Sequence, residues 1–180
     1  AFAERWNVAH AWPSLAEVGG KADRFDVISV CSPTAAHAQD LEAAMALAPR
    51  LVFCEKPLTP DLVRARTLVQ AFDEAGIALA VNHTRRWAPD VLRLRDELAA
   101  GHWGEVRSVS ATYNKGVLNN GGHLIDLLHL LLGPLDVVWA GPPLHDFWPD
   151  DPSIAAVLLA RGSTVIQLAT AHATDYALFE

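Results

Sequence analysis

DVISVCSPTAAH, residues 26–37, is the stretch from which the fold follows. Residues 26–31 form a short, nearly continuous apolar run rich in Val and Ile, the composition of a strand buried on both faces of a parallel sheet. The run ends at Pro33, which forces Ser32 out of the helical region and so fixes where a helix can begin. Residues 34–47 then carry Ala38, Leu41, Met45 and Ala48 at helical spacing. RLVFC at 50–54 repeats the strand signature, and a second helix follows, with Thr59 as cap and Pro60 as first residue. Asp61 sits at its positive end, Leu62, Val69 and Phe72 form its inner stripe, and Gly76 stops it. Residues 77–81 are a third strand. Upstream, residues 1–6 read as a helix with Glu4 and Arg5 facing out, and SLAE at 14–17 as a capping box whose short helix ends near Gly19 and Gly20. Residues 1 to about 82 thus read βαβαβ.

Beyond Pro89 a helix is expected over 90–100, ended by Gly101. From Val106 the period becomes two: Val109, Ala111 and Tyr113 alternate with Ser108, Ser110 and Thr112, and 154–159 and 164–170 alternate likewise, which predicts an antiparallel sheet with one wet face. Residues 124–132 are apolar nearly all round and close on Gly133-Pro134, so this helix should lie between layers. The fold class is α/β. A parallel-sheet domain over 1–84 is followed by an α+β domain over 85–180 whose open sheet is mainly antiparallel.

The 180 residues are 51% apolar and 19% charged, with a formal net charge of −7. A charged share below the average of about 25% excludes a disordered polyelectrolyte and implies a sizeable core. A pI near 5.5 argues against nucleic acid or an anionic membrane as partner, whereas small or sugar-like substrates fit. Cys31 and Cys54 form no CxxC, and no signal-peptide pattern is present, which points to the reducing cytoplasm. The apolar runs are far shorter than a membrane span. The chain opens on Ala1 inside a helix and closes on the apolar Ala177, Leu178, Phe179 and the acidic Glu180, so it reads as a fragment.

Three successive strands run into polar constellations, which is what one ligand crevice requires at the carboxyl ends of a parallel sheet. The first is Ser32-Pro33-Thr34-Ala35-Ala36-His37, a hydroxyl, a helix start and an imidazole together; its bland reading is a turn and a helix surface. The second is Glu55-Lys56-Pro57, two opposite charges set on a run of Leu, Val, Phe and Cys, where burial demands partners. Pro57 restricts Lys56 to extended backbone and fixes where its ammonium points, and the Lys56-Pro57 bond is one where a cis peptide is cheap. Cys54 beside them is a buried thiol, its strand neighbours being apolar. The third constellation is 81–89, VNHTRRWAP, whose bland reading is a loop with a solvated arginine pair. A fourth lies at Asn119-Asn120-Gly121-Gly122-His123-Leu124-Ile125-Asp126. His123 stands at a helix start, where the positive helix end lowers its pKa and keeps it able to accept a proton, and Asp126 one turn on orients its ring. A metal site from His123, Asp126 and His129 is disfavoured, because that spacing spreads the three by about 120° around the helix. Trp87, Trp103, Tyr113 and Trp148 could stack on a sugar ring, but so ordinary an aromatic count more often serves packing.

Over roughly residues 1–140 the chain resembles the glucose-fructose oxidoreductase, inositol dehydrogenase and rhizopine-catabolism (Gfo/Idh/MocA) family. The resemblance rests on DVISVCSPTAAH, CEKP, the Arg86-Trp87-Ala88-Pro89 stretch and NNGGHLID before an apolar helix. It implies an incomplete Rossmann domain for NAD or NADP and a C-terminal α+β domain whose open sheet carries the substrate face and an oligomer interface. It further implies that Ser32, Pro33 and His37 line the dinucleotide, with Arg86 also on the cofactor side. Glu55 would approach the nicotinamide ribose, and Lys56 would touch cofactor and substrate hydroxyl. His123 would transfer the proton. The chemistry is hydride transfer between nicotinamide and the carbinol carbon of a sugar or polyol. A cationic Lys56 stabilises the alkoxide; to act as base its pKa must fall, and burial together with the positive nicotinamide ring pushes it that way.

The sequence departs from the family pattern at two points. Asn119 occupies the position of the usual Asp four residues before the histidine, leaving Lys56 and His123 to move the proton. No GxGxxG occurs anywhere in the chain, so the glycine turn, the strand before it and the acidic ribose ligand are missing. Their loss predicts an exposed apolar edge on the strand at 26–31, a pyrophosphate without its helix end, and weak or no NAD binding by these 180 residues. The rival reading is a non-catalytic remnant that keeps its C-terminal sheet as an interaction surface. A Ser-His-Asp hydrolase lacks any GxSxG elbow.

Overall fold

Three parallel strands, β1 (Val27–Val30), β2 (Leu51–Glu55) and β3 (Ala78–Asn82), form the sheet of the first of two units into which the chain divides, Ala1–Asn82 and His83–Glu180. The computed structural model describes residues 2–18 and 25–175. In the first unit, helix α1 (Phe2–Trp6) carries Glu4 and Arg5 exposed, as its pattern predicts. The crossovers between strands are α2 (His37–Ala46), entered through a 3-10 turn at Thr34–Ala36, and α3 (Leu62–Glu74). The sheet order β1-β2-β3 is therefore the expected βαβαβ. Val52 and Cys54 of the central strand are wholly buried, against Leu41 and Ala44 of α2 and Leu68 and Phe72 of α3. Each fully buried Leu or Phe contributes about 1.5–3 kcal/mol. β1 departs from the two-sided burial expected of it: Val27 is 54% exposed, because among the described residues β1 is paired on one edge only.

Several helix details differ from the sequence pattern. The Ser14 hydroxyl donates to Glu17 Oε1 at 3.4 Å and no side chain caps the backbone, so the capping box yields a single 3-10 turn, Leu15–Glu17. Its expected end at Gly19 and Gly20 lies outside the described residues. The cap of α3 is Asp61, not Thr59: Asp61 Oδ1 accepts from the Arg64 N–H at 2.7 Å, and Pro60 stays outside the helix. That start places Leu68 and Phe72 inward, whereas Leu62 (65% exposed) and Val69 (52%) face out. Ala48 lies past the end of α2 at φ 47° and is exposed; His37 and Ala44 complete the buried stripe instead.

The second unit begins with a 3-10 turn at Thr84–Trp87 and helix α4 (Pro89–Ala99), with Pro89 at the first position that tolerates a missing N–H. Then come β4 (Ser108–Tyr113), a π-helical turn (Gly116–Gly121), α5 (Gly122–Leu132), β5 (Leu135–Ala140), β6 (Leu144–Trp148), β7 (Asp151–Ser153), β8 (Ala156–Ala160) and β9 (Thr164–Thr170). The main sheet has the order β4-β9-β8-β5, and β6 pairs with β7 separately. β9–β8 and β8–β5 are antiparallel as expected, but β4 and β9 run parallel. Alternation reveals which face a side chain takes, not the direction of its neighbour, and here the partners lie more than 50 residues apart. β5 and β6 have no counterpart in the sequence reading, and the expected strand over 154–159 starts only at Ala156.

Ala111 and Tyr113, Leu158 and Ala160, and Ile166 and Leu168 all face Leu124 and Leu128 of α5, giving the second core. Ser110 and Gln167 point the other way into solvent, leaving one open face. α4 lies against α5, so the apolar helix does have neighbours on more than one side. No helix among the described residues is long and apolar enough to cross a membrane. The closing run 177–180 lies outside the described residues.

Candidate functional site

In the first unit, register brings three polar strand ends level. Val30 pairs with Cys54, and Glu55 with Asn82, so β1, β2 and β3 finish at one edge of the sheet. Asn82 Nδ2 donates to Glu55 Oε1 at 2.7 Å, the kind of partner that a half-buried carboxylate on an apolar strand requires. Lys56 follows, half-buried, and the Lys56-Pro57 peptide is cis. Ser32 Oγ is buried without a hydrogen-bond partner among the described residues, and Ser32 lines a recess of about 250 Å³ with Leu15, Ile28, Ser29, Val30, Cys31 and Asp40. Pro33 is exposed.

His37 is not the surface residue of the bland reading, since it is only 1% exposed. Its Nδ1 lies 2.8 Å from the Pro57 carbonyl oxygen and its Nε2 2.8 Å from that of Ser32. The ring thus braces the loop after β1 against the loop after β2, with both nitrogens turned to the backbone. Burial, and after it the Glu55 charge, push the Cys54 thiol up to about 11, so Cys54 stays protonated and is no nucleophile at neutral pH.

In the second unit, two pairs of residues three apart face each other. His83 and Arg86 come from the 3-10 turn, His123 and Asp126 from α5. Arg86 Nε lies 3.5 Å and His83 Nδ1 3.9 Å from Asp126 Oδ2, with all three side chains at least two-thirds buried. The imidazoles of His83 and His123 stand edge to face, 6.2 Å between centroids at 83°. Asp126, expected to orient His123, pairs with Arg86 and sits beside His83. No group of three or more His, Cys, Asp or Glu among the described residues could hold a metal ion.

His123 is also not at an open helix start. The π-helical turn runs directly into α5, with Gly121 and Gly122 both helical, so the positive end lies upstream. There Asp151 Oδ1 and Oδ2 accept from the backbone N–H groups of Leu118 and Asn119 at 2.8 and 2.9 Å, and Ser153 Oγ accepts from Gly116 at 2.9 Å. The helix-end charge that the sequence assigns to His123 acts on Asp151 instead. Asn119 therefore has its main chain fixed by Asp151, and Asn120 Nδ2 donates to Asn114 Oδ1 at 3.1 Å. Tyr113 is 1% exposed with its hydroxyl donating to the Ile154 carbonyl, a core residue and not a stacking platform, whereas Trp87, Trp103 and Trp148 are more than half exposed.

Sequence reasoning included Asn82 and His83 in the third constellation without giving either a role of its own, and passed over Asp151 and Ser153. VNHT offers Asn82 and His83 at a strand end, a signal of the kind that marked Ser32 and Glu55. Asp151 gives none, because nothing local tells a buried carboxylate in DPS from a surface one.

A parallel sheet with polar strand ends at one edge, followed by a second, largely antiparallel sheet, is a fold shared with solved nicotinamide-dependent oxidoreductases. Residues 1–83 match the family model described as GFO_IDH_MocA, oxidoreductase family, NAD-binding Rossmann fold. That segment, just under half of the chain, is similar to the Gfo/Idh/MocA oxidoreductase family. Among its relatives is the inositol 2-dehydrogenase of Rhizobium meliloti, 34% identical over 88 residues, which are 49% of this chain and 26% of that protein. The WlbA dehydrogenase of Bordetella pertussis, solved with NADH and UDP-GlcNAcA, superposes with a TM-score of 0.81 at 20% identity over 93% of this chain and 57% of that one. KijD10, a 3-ketoreductase of Actinomadura kijaniata solved with NADP, gives 0.77 at 28% identity over 93% and 54%. The chain thus spans about a quarter of the matched curated relative.

Proposed function

We propose that this chain serves an NAD(P)-dependent oxidoreductase acting on a sugar or polyol carbinol. The observation that carries the reading is the level strand edge: Ser32 with its unsatisfied buried hydroxyl, Glu55 held by Asn82, and Lys56, all within the family-matched segment. A buried donor without a partner and a carboxylate with one oxygen committed fit a polyhydroxylated ligand such as a dinucleotide, whose hydroxyls and amide supply the missing partners. NAD or NADP, when bound, supplies the hydride acceptor or donor. The relatives' names, an inositol dehydrogenase and a sugar-nucleotide complex among them, support the substrate class.

The chain's own residues supply binding, alignment and proton handling. Ser32 and Glu55 hold cofactor hydroxyls, Pro33 and His37 shape the loop they stand on, and Arg86 adds a cation whose charge Asp126 balances. As the hydroxyl loses hydride from its carbon, its proton must leave; Lys56 stabilises the alkoxide and His123 takes the proton. Asn119 cannot ionise and serves by position. Lacking a GxGxxG, these 180 residues alone bind NAD weakly or not at all. We assign the protein to the reducing cytoplasm, consistent with two unpaired cysteines, and to a homo-oligomer formed through the C-terminal sheet. A second reading, an interaction module without turnover, is favoured by three successive exposed apolar residues on β5, Val137, Val138 and Trp139.

The test is Lys56→Ala in the full-length protein, assayed with NAD, NADP and a panel of sugars and polyols. Turnover should fall by about 10²-fold or more with the circular dichroism spectrum unchanged. Equal turnover in variant and parent would remove Lys56 from the mechanism, and a parent that turns over no substrate but self-associates would favour the second reading.

A further inference from the structure

A helix fixes the Cβ of His123 but not its ring. The torsion that sets the imidazole plane has broad, shallow minima, so the direction in which its nitrogens point is left to neighbours. One neighbour of that ring is His83. Its ring stands at 83° to that of His123, with centroids 6.2 Å apart, the edge-to-face arrangement in which the positive rim of one ring meets the negative face of the other. The backbone of His83 is placed, since it caps the 3-10 turn and its carbonyl accepts from the Arg86 N–H at 3.2 Å, while its buried Nδ1 makes no hydrogen bond among the described residues and lies 3.9 Å from Asp126 Oδ2. Arg86 Nε, 3.5 Å from the same oxygen, balances the carboxylate. The two pairs, His83 with Arg86 and His123 with Asp126, close into one four-residue cluster within the second unit.

We propose that His83 is a positioning residue for His123, holding that imidazole in the plane from which it exchanges a proton with the substrate hydroxyl. This rests on the reading of His123 as the proton-transfer residue. Nothing else in the proposed mechanism uses His83. Ring packing is what matters in it, so an aromatic ring without nitrogens should substitute and an aliphatic side chain should not.

Histidine ring resonances of the 180-residue chain, the His123 signal being assigned through His123→Asn, test the placement without any turnover. In the parent, the ring current of His83 displaces the His123 signal; His83→Ala and His83→Leu should abolish that displacement, and His83→Phe should retain it. Leu fills a similar volume, so a fold lost in the alanine variant leaves the comparison intact. An unmoved His123 signal in His83→Leu overturns the proposal. In the full-length protein, His83→Leu should lower kcat about tenfold with KM within about twofold, and His83→Phe should restore it. A higher KM at unchanged kcat also overturns it. If the parent turns over no sugar or polyol, the oxidoreductase reading fails while the resonances still decide the placement.

Discussion

Cys31 and Cys54 flank the same strand edge yet live in different chemical worlds. Cys31 is exposed, whereas Cys54 is wholly buried with its thiol directed at the Glu55 carbonyl, 3.2 Å away. At pH 8, iodoacetamide should therefore modify Cys31 alone, with Cys54 reacting only after denaturation; mass spectrometry of the alkylated peptides reads the outcome. Because burial raises the Cys54 pKa from 9.0 to about 11, the folded state keeps a proton that the unfolded chain sheds between those values. Stability from this group is complete below pH 9 and is lost as pH rises to about 11, on the order of 3 kcal/mol in total. Urea midpoints that hold level from pH 8.5 to 11 would contradict this burial. The tyrosine at 113, also pushed up by burial, acts in the same sense.

At the scale of elements, the π-helical turn at Gly116–Gly121 decides how the second unit presents His123. Gly116 has φ +92°, and a Cβ built there would lie 2.2 Å from Asp151 Oδ2 and 2.6 Å from the Asp151 carbonyl oxygen. Glycine is required both by the backbone and by the carboxylate packed against it. Gly116→Ala should cost about 3 kcal/mol, from positive-φ strain and displacement of Asp151, read as a lower urea midpoint at unchanged slope. A midpoint equal to the parent's would show that Asp151 moves freely and does not hold the turn. Helix ends elsewhere were readable from their local chemistry, as Gly76 at φ +66° after α3 illustrates. The start of α5 was not, because the π-helical turn runs into it and the Leu118 and Asn119 N–H groups of that turn are satisfied by Asp151, more than 30 residues away.

At the scale of the whole molecule, β5 is an edge strand whose Val137, Val138 and Trp139 are 70%, 59% and 53% exposed. Such an edge is a template for pairing unless covered or charged. Val138→Glu should convert a self-associated protein to monomer in analytical ultracentrifugation; a parent that sediments as a monomer at all concentrations would remove the oligomer proposal. The same stretch shows why part of the fold escaped the sequence reading. Val-Val-Trp has neither the alternation of a half-buried strand nor the short buried length of DVISVC: a bulge between Val137 and Trp139 breaks the two-residue repeat, and all three side chains are more than half exposed.

Local chemistry alone determined much of this protein. The apolar runs at 26–31 and 50–54 and the helix-breaking Pro33 and Gly76 set the βαβαβ order, and the stretches SPTAAH, CEKP and NNGGHLID marked Ser32, His37, Glu55, Lys56 and His123 for attention. These are effects of neighbours within a few residues, where spacing and backbone preference suffice. Tertiary structure decided the rest: that β4 and β9 run parallel, that His37 spends both ring nitrogens on backbone, that Asp151 takes the helix-end charge, and that His83 faces His123. Each of those depends on a partner 20 or more positions away or on both sides of a single ring, and burial and pairing at that distance leave no trace in local order.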